Sequence, residues 1–314
     1  MILTITLNPS VDASSGVDHV VPEHKLRCEE PSFEPGGGGI NVSRAIKRLG
    51  GESLALYTSG GPYGQMLERL LDAEGVRHQS IPIAELTREN LIVEETSSGQ
   101  QFRFNMPGPH LEEKEWRACL DAISATMPAP DYIVASGSLP PGAPGDFYAR
   151  VAKIAKARHA RLILDTFGEA LWLTADSGVY LIKPNVRELQ ELTQQEIRNE
   201  AQLEDAAREL IKKEHCEVAI ISLGAAGAVM ATRGECEIFR APIVPVKSVV
   251  GAGDSMVAGI VLSLSRGKQL REAVLFGMAA GAAAVMNSRR ELCRLKDAED
   301  LFQGIVTAAP PARP

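Results

Sequence analysis

Val250-Gly251-Ala252-Gly253-Asp254-Ser255 stands at the head of an alanine-rich segment that keeps helical spacing as far as Ser265. Two glycines let the backbone turn tightly into a helix, and the first free N–H groups then point at one spot. Such a helix start binds anions and stabilises charge developing on a phosphate. An aspartate inside that turn can accept the proton of a sugar hydroxyl as its oxygen attacks. The competing reading is that Asp254 only caps the helix, a frequent use of Asp. Motifs this short recur by chance, so the stretch alone does not choose between the two.

Outward from it, short β-branched runs alternate with helical patterns. Residues 3–7, 54–57, 132–135, 162–165, 180–183 and 218–222 read as strands. Residues 40–49, 64–73, 146–157 and 201–213 carry apolar side chains at helical spacing. Residues 252–265 and 270–287 read as two helices rich in Ala and Gly, which allow close backbone packing. The alternation predicts an α/β fold, a mostly parallel sheet with helices on both faces. A single domain over residues 1–314 is expected. Two stretches break the rhythm. Residues 11–33 are polar and irregular, and residues 91–95 and 100–105 flank Thr96-Ser97-Ser98-Gly99, a good hairpin turn. We read residues 11–33 and 87–106 as a small β lid that excludes water from a reacting group; an ordinary edge hairpin is the plainer alternative. The tail 308–314 reads as disordered.

Composition narrows the partners. The 314 residues carry a formal charge of −7, with 45% hydrophobic and 23% charged. That balance argues against nucleic acid and anionic membranes, which select a basic excess, but not against an anionic small substrate. No stretch is long and apolar enough for a membrane span, and Met1–Leu7 lacks the basic start of a signal peptide. Five cysteines at 28, 119, 216, 236 and 293 form no CxxC pair, which fits free thiols in a reducing cytoplasm. The six histidines show no zinc-ligand spacing.

A second glycine-rich segment reads Glu34-Pro35-Gly36-Gly37-Gly38-Gly39-Ile40-Asn41-Val42 and runs straight into a helical pattern. Four successive glycines are costly to order, so a close approach of backbone to ligand is the inference, with a flexible loop as the alternative. Asn41 adds a donor and an acceptor for sugar hydroxyls. No GxGxxG register fits these glycines, and the chain has no GxxxxGK[ST]. A nicotinamide oxidoreductase and a P-loop enzyme therefore both lack their phosphate loops.

Gly36–Val42 together with Val250–Ser255 resembles the two-motif pattern of the PfkB branch of the ribokinase family, and the likeness extends over nearly the whole chain. Thr6-Leu7-Asn8-Pro9-Ser10-Val11-Asp12 is similar to the opening of that branch's phosphosugar kinases. Ser136-Gly137-Ser138-Leu139-Pro140-Pro141-Gly142, Lys183-Pro184-Asn185 and Ser222-Leu223-Gly224 with Gly227 follow in the family's order. The resemblance implies a ribokinase-like fold and a kinase that uses ATP and Mg²⁺, with K⁺ as a possible activator. It implies phosphorylation of fructose 6-phosphate at C1; tagatose 6-phosphate and fructose 1-phosphate kinases share most of these residues.

The resemblance also assigns roles. Asp254 would be the base, beside the amides of Gly251, Ala252 and Gly253. Asp12, Asn41 and the backbone of Gly37, Gly38 and Gly39 would hold the sugar hydroxyls. Lys25, Arg27, Arg88, Arg103 and Ser138 would surround the substrate phosphate, where guanidinium forks suit phosphate oxygens. A solvated surface charge is the ordinary fate of any one of these cations. Lys183, Asn185, Ser222, Gly224, Gly227, Met278, Ala282 and Asn287 would line the nucleotide. Asn185 and Glu188 would organise Mg²⁺ through water, though Glu188 also reads as a first-turn acid favoured by the helix dipole. Ser248, Val250 and Ala284 would hold K⁺. The lid edge would be covered by a second lid in a homodimer.

Some positions depart from the family pattern. Gly38 stands where the kinases of the two other phosphosugars usually carry lysine, which favours fructose 6-phosphate. Val21 replaces an expected tyrosine associated with inhibition by excess MgATP, Val249 an expected threonine, and residues 287–291 an expected glycine-containing loop. A non-catalytic sugar-phosphate sensor is the rival of another class, and intact Gly251, Gly253, Asp254 and Asn185 argue against it.

Overall fold

The computed structural model describes residues 1–287 and 291–308. The chain starts with β1 (Ile2–Thr6), then β2 (Ser10–Val17), β3 (Ser32–Gly36), α1 (Gly38–Arg48), β4 (Leu54–Ser59), α2 (Gly61–Ala73) and β5 (His78–Pro82). A hairpin of β6 (Arg88–Glu95) and β7 (Gln100–Phe104) leads into α3 (Glu113–Ala125) and β8 (Tyr132–Ser136). Next come α4 (Phe147–Ala157), β9 (Arg161–Asp165), α5 (Gly168–Ala175), β10 (Val179–Ile182), α6 (Val186–Thr193) and α7 (Glu200–Lys212). The last part holds β11 (Cys216–Ser222), β12 (Ala228–Ala231), β13 (Cys236–Phe239), α8 (Ala252–Ser265), α9 (Leu270–Val285) and α10 (Leu295–Ala308).

Nine strands make the main sheet in the order β13-β12-β11-β10-β9-β8-β1-β4-β5. From β11 to β5 all pairs are parallel, and β12 and β13 add an antiparallel margin. Side chains alternate along each strand, which gives the main sheet two packed faces, and a third, smaller cluster of Val11, Ile40, Tyr57 and Leu67 joins it to the small sheet. Leu3, Ile5, Ile133, Leu164 and Ile221 pack one face with Trp116, Phe147, Leu171 and Leu210 from α3, α4, α5 and α7. Ile2, Val134, Ile163, Leu181 and Ile220 pack the other with Val42, Ile46, Val257 and Val274 from α1, α8 and α9. This is the layered α/β arrangement expected from the alternation of strand and helix patterns.

The second sheet is four-stranded, in the order β3-β2-β6-β7. Its β6–β7 hairpin sits where the turn at residues 96–99 places it. Residues 11–33, irregular as a sequence pattern, supply β2 and β3 of this sheet with a loop between them. Alternation in β2 is masked, since Ser10, Asp12 and Ser14 share one face while Val11 and Ala13 bury the other. The strands β5, β12 and β13 and the helices α3, α5 and α10 also lay outside the sequence expectation. Of the predicted tail 308–314, Ala308 ends α10 instead, while residues 309–314 lie outside the described residues, as do Ser288, Arg289 and Arg290 of the segment 287–291. Among the described residues no helix is long and apolar enough to cross a membrane.

Candidate active site

Parallel strands present their carboxyl ends to one side of the sheet, and ligands of such folds collect there. Thr6, Ser136, Asp165, Ile182 and Ser222 end β1, β8, β9, β10 and β11 at this edge. The helix α8 starts beside it. Gly251 is its N-cap with φ 76°, a left-handed conformation that suits glycine. Asp254 lies in the first turn and makes no capping bond. Its Oδ2 instead accepts a 3.0 Å hydrogen bond from Asn41 Nδ2 on α1. The capping alternative therefore fails, and one contact joins the two glycine motifs across 213 positions of sequence.

Burial raises the Asp254 carboxyl to about 7, and the nearby Asp165 charge adds to the rise. Asn41, Lys183 and Arg44 oppose it. A base must be ionised to work, so kcat/KM should fall about tenfold per pH step below the acid limb. We expect that limb near pH 7, well above the ordinary carboxylate range; a rate–pH profile checks it, and a flat profile down to pH 5 contradicts it.

The glycine run is built against the protein's own backbone. A Cβ at Gly39 would lie 2.4 Å from the Ile5 carbonyl oxygen, and one at Gly38 would lie 2.3 Å from Ser136 Oγ. A Cβ at Gly36 would lie 2.4 Å from Asp12 Oδ2. The run thus packs tightly between the ends of β1 and β8, and the flexible-loop alternative does not hold. Thr6 Oγ1 accepts from the Ile40 amide at 2.8 Å and secures the start of α1. Asp12 Oδ1 accepts from Ser10 Oγ and Asn90 Nδ2, both at 2.8 Å, which fixes its carboxylate on the face of the small sheet.

The expected phosphate cations divide into two groups. Arg88 begins β6, with Nη1 on the Met106 carbonyl at 3.0 Å and Nη2 on the Asn8 carbonyl at 3.1 Å. Its Nε is buried with no hydrogen-bond partner, as is Asn8 Oδ1, while Asn8 Nδ2 donates to Ser138 Oγ at 3.1 Å. Arg88, Asn8 and Ser138 therefore meet at one corner, with a donor and an acceptor unspent. Arg103 stands exposed on β7, paired in register with Ile92 and bonded to Gln101. Lys25 and Arg27 lie exposed on the β2–β3 loop.

On the nucleotide side, a cavity of about 410 Å³ is lined by Ser222, Gly224, Gly227, Gly253, Met278 and Ala282, among others. Five of the expected nucleotide residues thus share one apolar cleft with the start of α8. Ile243, Val246 and Val249 form part of its exposed outer wall. Lys183, 7% exposed, pairs with Asp165 Oδ1 at 3.1 Å. A Cβ on Gly253 would lie 3.5 Å from its Nζ, so the ammonium underlies the helix start. Asn287 lies just past the end of α9. It is absent from the cavity lining, and its Nδ2 donates to the Ala283 and Leu292 carbonyls, bracing the end of α9.

Asn185 and Glu188 form a capping box on α6: Asn185 Oδ1 accepts the Glu188 amide and Glu188 Oε2 accepts the Asn185 amide, both at 2.9 Å. The helix-start alternative for Glu188 therefore holds in part, and burial raises its carboxyl above the usual range. Among the described residues no three His, Cys, Asp or Glu side chains gather to hold a metal. The amides of Lys247 and Ser248 bond the Val285 carbonyl, which pins the chain before Val250 to the end of α9 beside Ala284.

Comparison with known proteins agrees with this geometry. The profile described as pfkB family carbohydrate kinase matches residues 5–295. The chain belongs to the pfkB family of carbohydrate kinases. Within the family it is 44% identical, over 96% of its length and 89% of the relative's, to an ATP-dependent 6-phosphofructokinase isozyme 2 of Mycobacterium tuberculosis. Escherichia coli phosphofructokinase-2 in complex with potassium superposes with a TM-score of 0.94 at 38% identity, covering 97% of this chain and 99% of that one. The complex of the same enzyme with fructose-6-phosphate gives 0.92 at 37% identity with the same coverage. Its tetrameric inhibited form gives 0.92 at 38%, again with that coverage. The ribokinase-like fold expected from the sequence is the fold observed.

Reading this pfkB-family chain as sequence passed over four residues that the structure brings to the site. Asp165 ends a recognised strand, and an acid at that position was a usable signal. Asn8 lies inside the quoted opening motif but carried no role. Asn90 sits in the lid hairpin, two positions from Arg88. Arg44 follows Asn41 by one helical turn and is 3% exposed, and nothing in the sequence distinguishes it from a surface arginine.

Proposed function

We propose that the chain transfers the γ-phosphoryl group of ATP to the C1 hydroxyl of fructose 6-phosphate, giving fructose 1,6-bisphosphate and ADP. The observation that carries this reading is the Asn41–Asp254 contact, which seats the base between the sugar motif and the anion-binding helix start. Asp12, Asn41 and the amides of Gly37, Gly38 and Gly39 hold the sugar hydroxyls. Arg88 has an unspent Nε for the substrate phosphate, with Ser138 beside it; Arg103, Lys25 and Arg27 would join by movement of the small sheet and its loop. Asp254 takes the proton of the C1 hydroxyl while that oxygen bonds the γ-phosphorus and the bond to the ADP oxygen breaks in line. The amides of Gly251, Ala252 and Gly253, with Lys183 beneath them, stabilise the charge on the moving phosphoryl group.

Mg²⁺ bound with the nucleotide supplies charge neutralisation at the phosphates. Asn185 and Glu188 would hold it through water, as suits an ion that keeps several waters. K⁺ would lie at the carbonyls of Val250 and Ala284 with Ser248, a reading supported by the potassium complex of the Escherichia coli enzyme. Fructose 6-phosphate is favoured over its rivals by the named relatives. It is favoured also by Gly38, which stands where the kinases of the two other phosphosugars usually carry lysine. The small sheet acts as a lid, and Leu91 and Phe104, paired in register and exposed, suit a homodimer through it. The free cysteines suit the cytoplasm. Phosphorus NMR of the product tests the reaction: a new phosphate at C1 with loss of ATP supports it, and unchanged ATP with every phosphosugar rejects it.

A further inference from the structure

Arg44 gathers contacts from three elements around the base. Its Nη1 donates to the Pro35 carbonyl at 2.9 Å and to Asn41 Oδ1 at 3.3 Å. Its Nε meets the two carboxylate oxygens of Glu74, the residue closing α2, at 3.0 and 2.9 Å. Its Nη2 also binds Glu74 and reaches Glu34 Oε2, on β3, at 3.5 Å. An amide whose oxygen is held by a guanidinium has only its NH₂ to present on its other side. In Asn41 that side faces Asp254.

We propose that Arg44 is a positioning residue for the phosphoryl-transfer base: it fixes which way the Asn41 amide faces, keeps a donor on the Asp254 carboxylate, and ties both to strand β3 of the small sheet. The proposal rests on the reading of Asp254 as base. The groups that act on that carboxyl are Asp165 from the end of β9, Lys183 from just beyond β10, and Asn41 and Arg44 from α1. Glu34 and Glu74 are the acids that face Arg44 itself. Loss of the fork frees the amide to turn, and an Asn41 presenting its oxygen to Asp254 favours the protonated, inactive acid.

The test is kcat/KM for fructose 6-phosphate against pH at saturating MgATP, in the wild-type protein, Arg44→Lys and Glu74→Gln. A lysine keeps the charge and can pair with Glu74, but it cannot hold the amide, the Pro35 carbonyl and the carboxylate together. In Arg44→Lys the acid limb should move to higher pH by about 0.5–1, and kcat/KM at pH 7 should fall about two- to fivefold with most of it recovered two pH steps higher. Glu74→Gln leaves the bonds to Asn41 and Pro35 in place, and its limb should not rise. Arg44→Gln, expected to raise the limb likewise, serves if the lysine variant does not fold. A limb in the wild-type place in a folded Arg44 variant, or an equal rise in Glu74→Gln, overturns the proposal. A wild-type protein that turns over no phosphosugar overturns the proposed function instead.

Discussion

Asp254→Asn should lower kcat by about 10³-fold or more while leaving the fold and both substrate KM values nearly unchanged. The substitution keeps size and shape and removes only the ability to take a proton. Structure at the helix start should survive, because Gly251 and not Asp254 is the N-cap of α8, and the aspartate makes no capping bond. An asparagine there can still accept from Asn41 through its own carbonyl. What remains is the electrostatic part of catalysis from the amides of residues 251–253 and from Lys183, so residual turnover should be measurable and lose its acid limb. Steady-state rates with a melting curve on the same sample check this; a near-wild-type rate removes Asp254 from its role.

Lys183→Met has the next largest expected effect, on stability and rate together. Lys183 is 7% exposed, and Asp165 is its partner at 3.1 Å. Removing one member of a buried pair leaves the other charge uncompensated, at a cost of about 3 kcal/mol or more. For a chain of this size that corresponds to a Tm drop of roughly 6 °C. The carboxyl of Asp254 should also rise further, because Lys183 is one of the groups holding it down. The double variant Lys183→Met/Asp165→Leu separates the two effects. Most of the stability should return, since a well-packed apolar pair replaces an ion pair at little cost. Activity should not return, because the cation under Gly253 is still missing. A single variant as stable as wild type, or a double variant that regains turnover, contradicts the account.

Much of the fold was legible because the strands that make the sheet are buried on both faces. Runs such as Val218-Ala219-Ile220-Ile221-Ser222 cannot be read as surface chain, and each expected run overlaps an observed strand. The segments that escaped are those whose pattern is set by something other than the core. Ser10–Val17 hides its alternation because one face carries Ser10, Asp12 and Ser14 toward the site. His78–Pro82 is an edge strand with mostly part-exposed side chains, and Ala228–Ala231 is four small or adaptable residues without a turn signal of helix or hairpin type.

The site was legible where chemistry forces unusual residues, as in the two glycine motifs. Even there the reason was only partly the one inferred. Gly36, Gly38 and Gly39 are required by Asp12, Ser136 and Ile5 of the protein itself as much as by a ligand. Arg44 and Asn8 were invisible because their roles consist of what they hold, and no local pattern marks a side chain by its distant partners. Asn287, past the end of a pocket-facing helix, gives its Nδ2 to two carbonyls, a use of a polar residue that no local pattern announces.

The central claim is that Asp254, joined to the glycine motif through Asn41, is the base that phosphorylates fructose 6-phosphate. It is tested most directly by a coupled ADP-release assay with MgATP and K⁺. The assay compares kcat/KM for fructose 6-phosphate, tagatose 6-phosphate, fructose 1-phosphate and unphosphorylated fructose. The account predicts the highest value for fructose 6-phosphate and a loss of at least about 10²-fold for fructose, whose missing phosphate leaves Arg88 unanswered. A higher value for either other phosphosugar would contradict the reading of Gly38, and no ADP release with any of the four would contradict the kinase assignment itself.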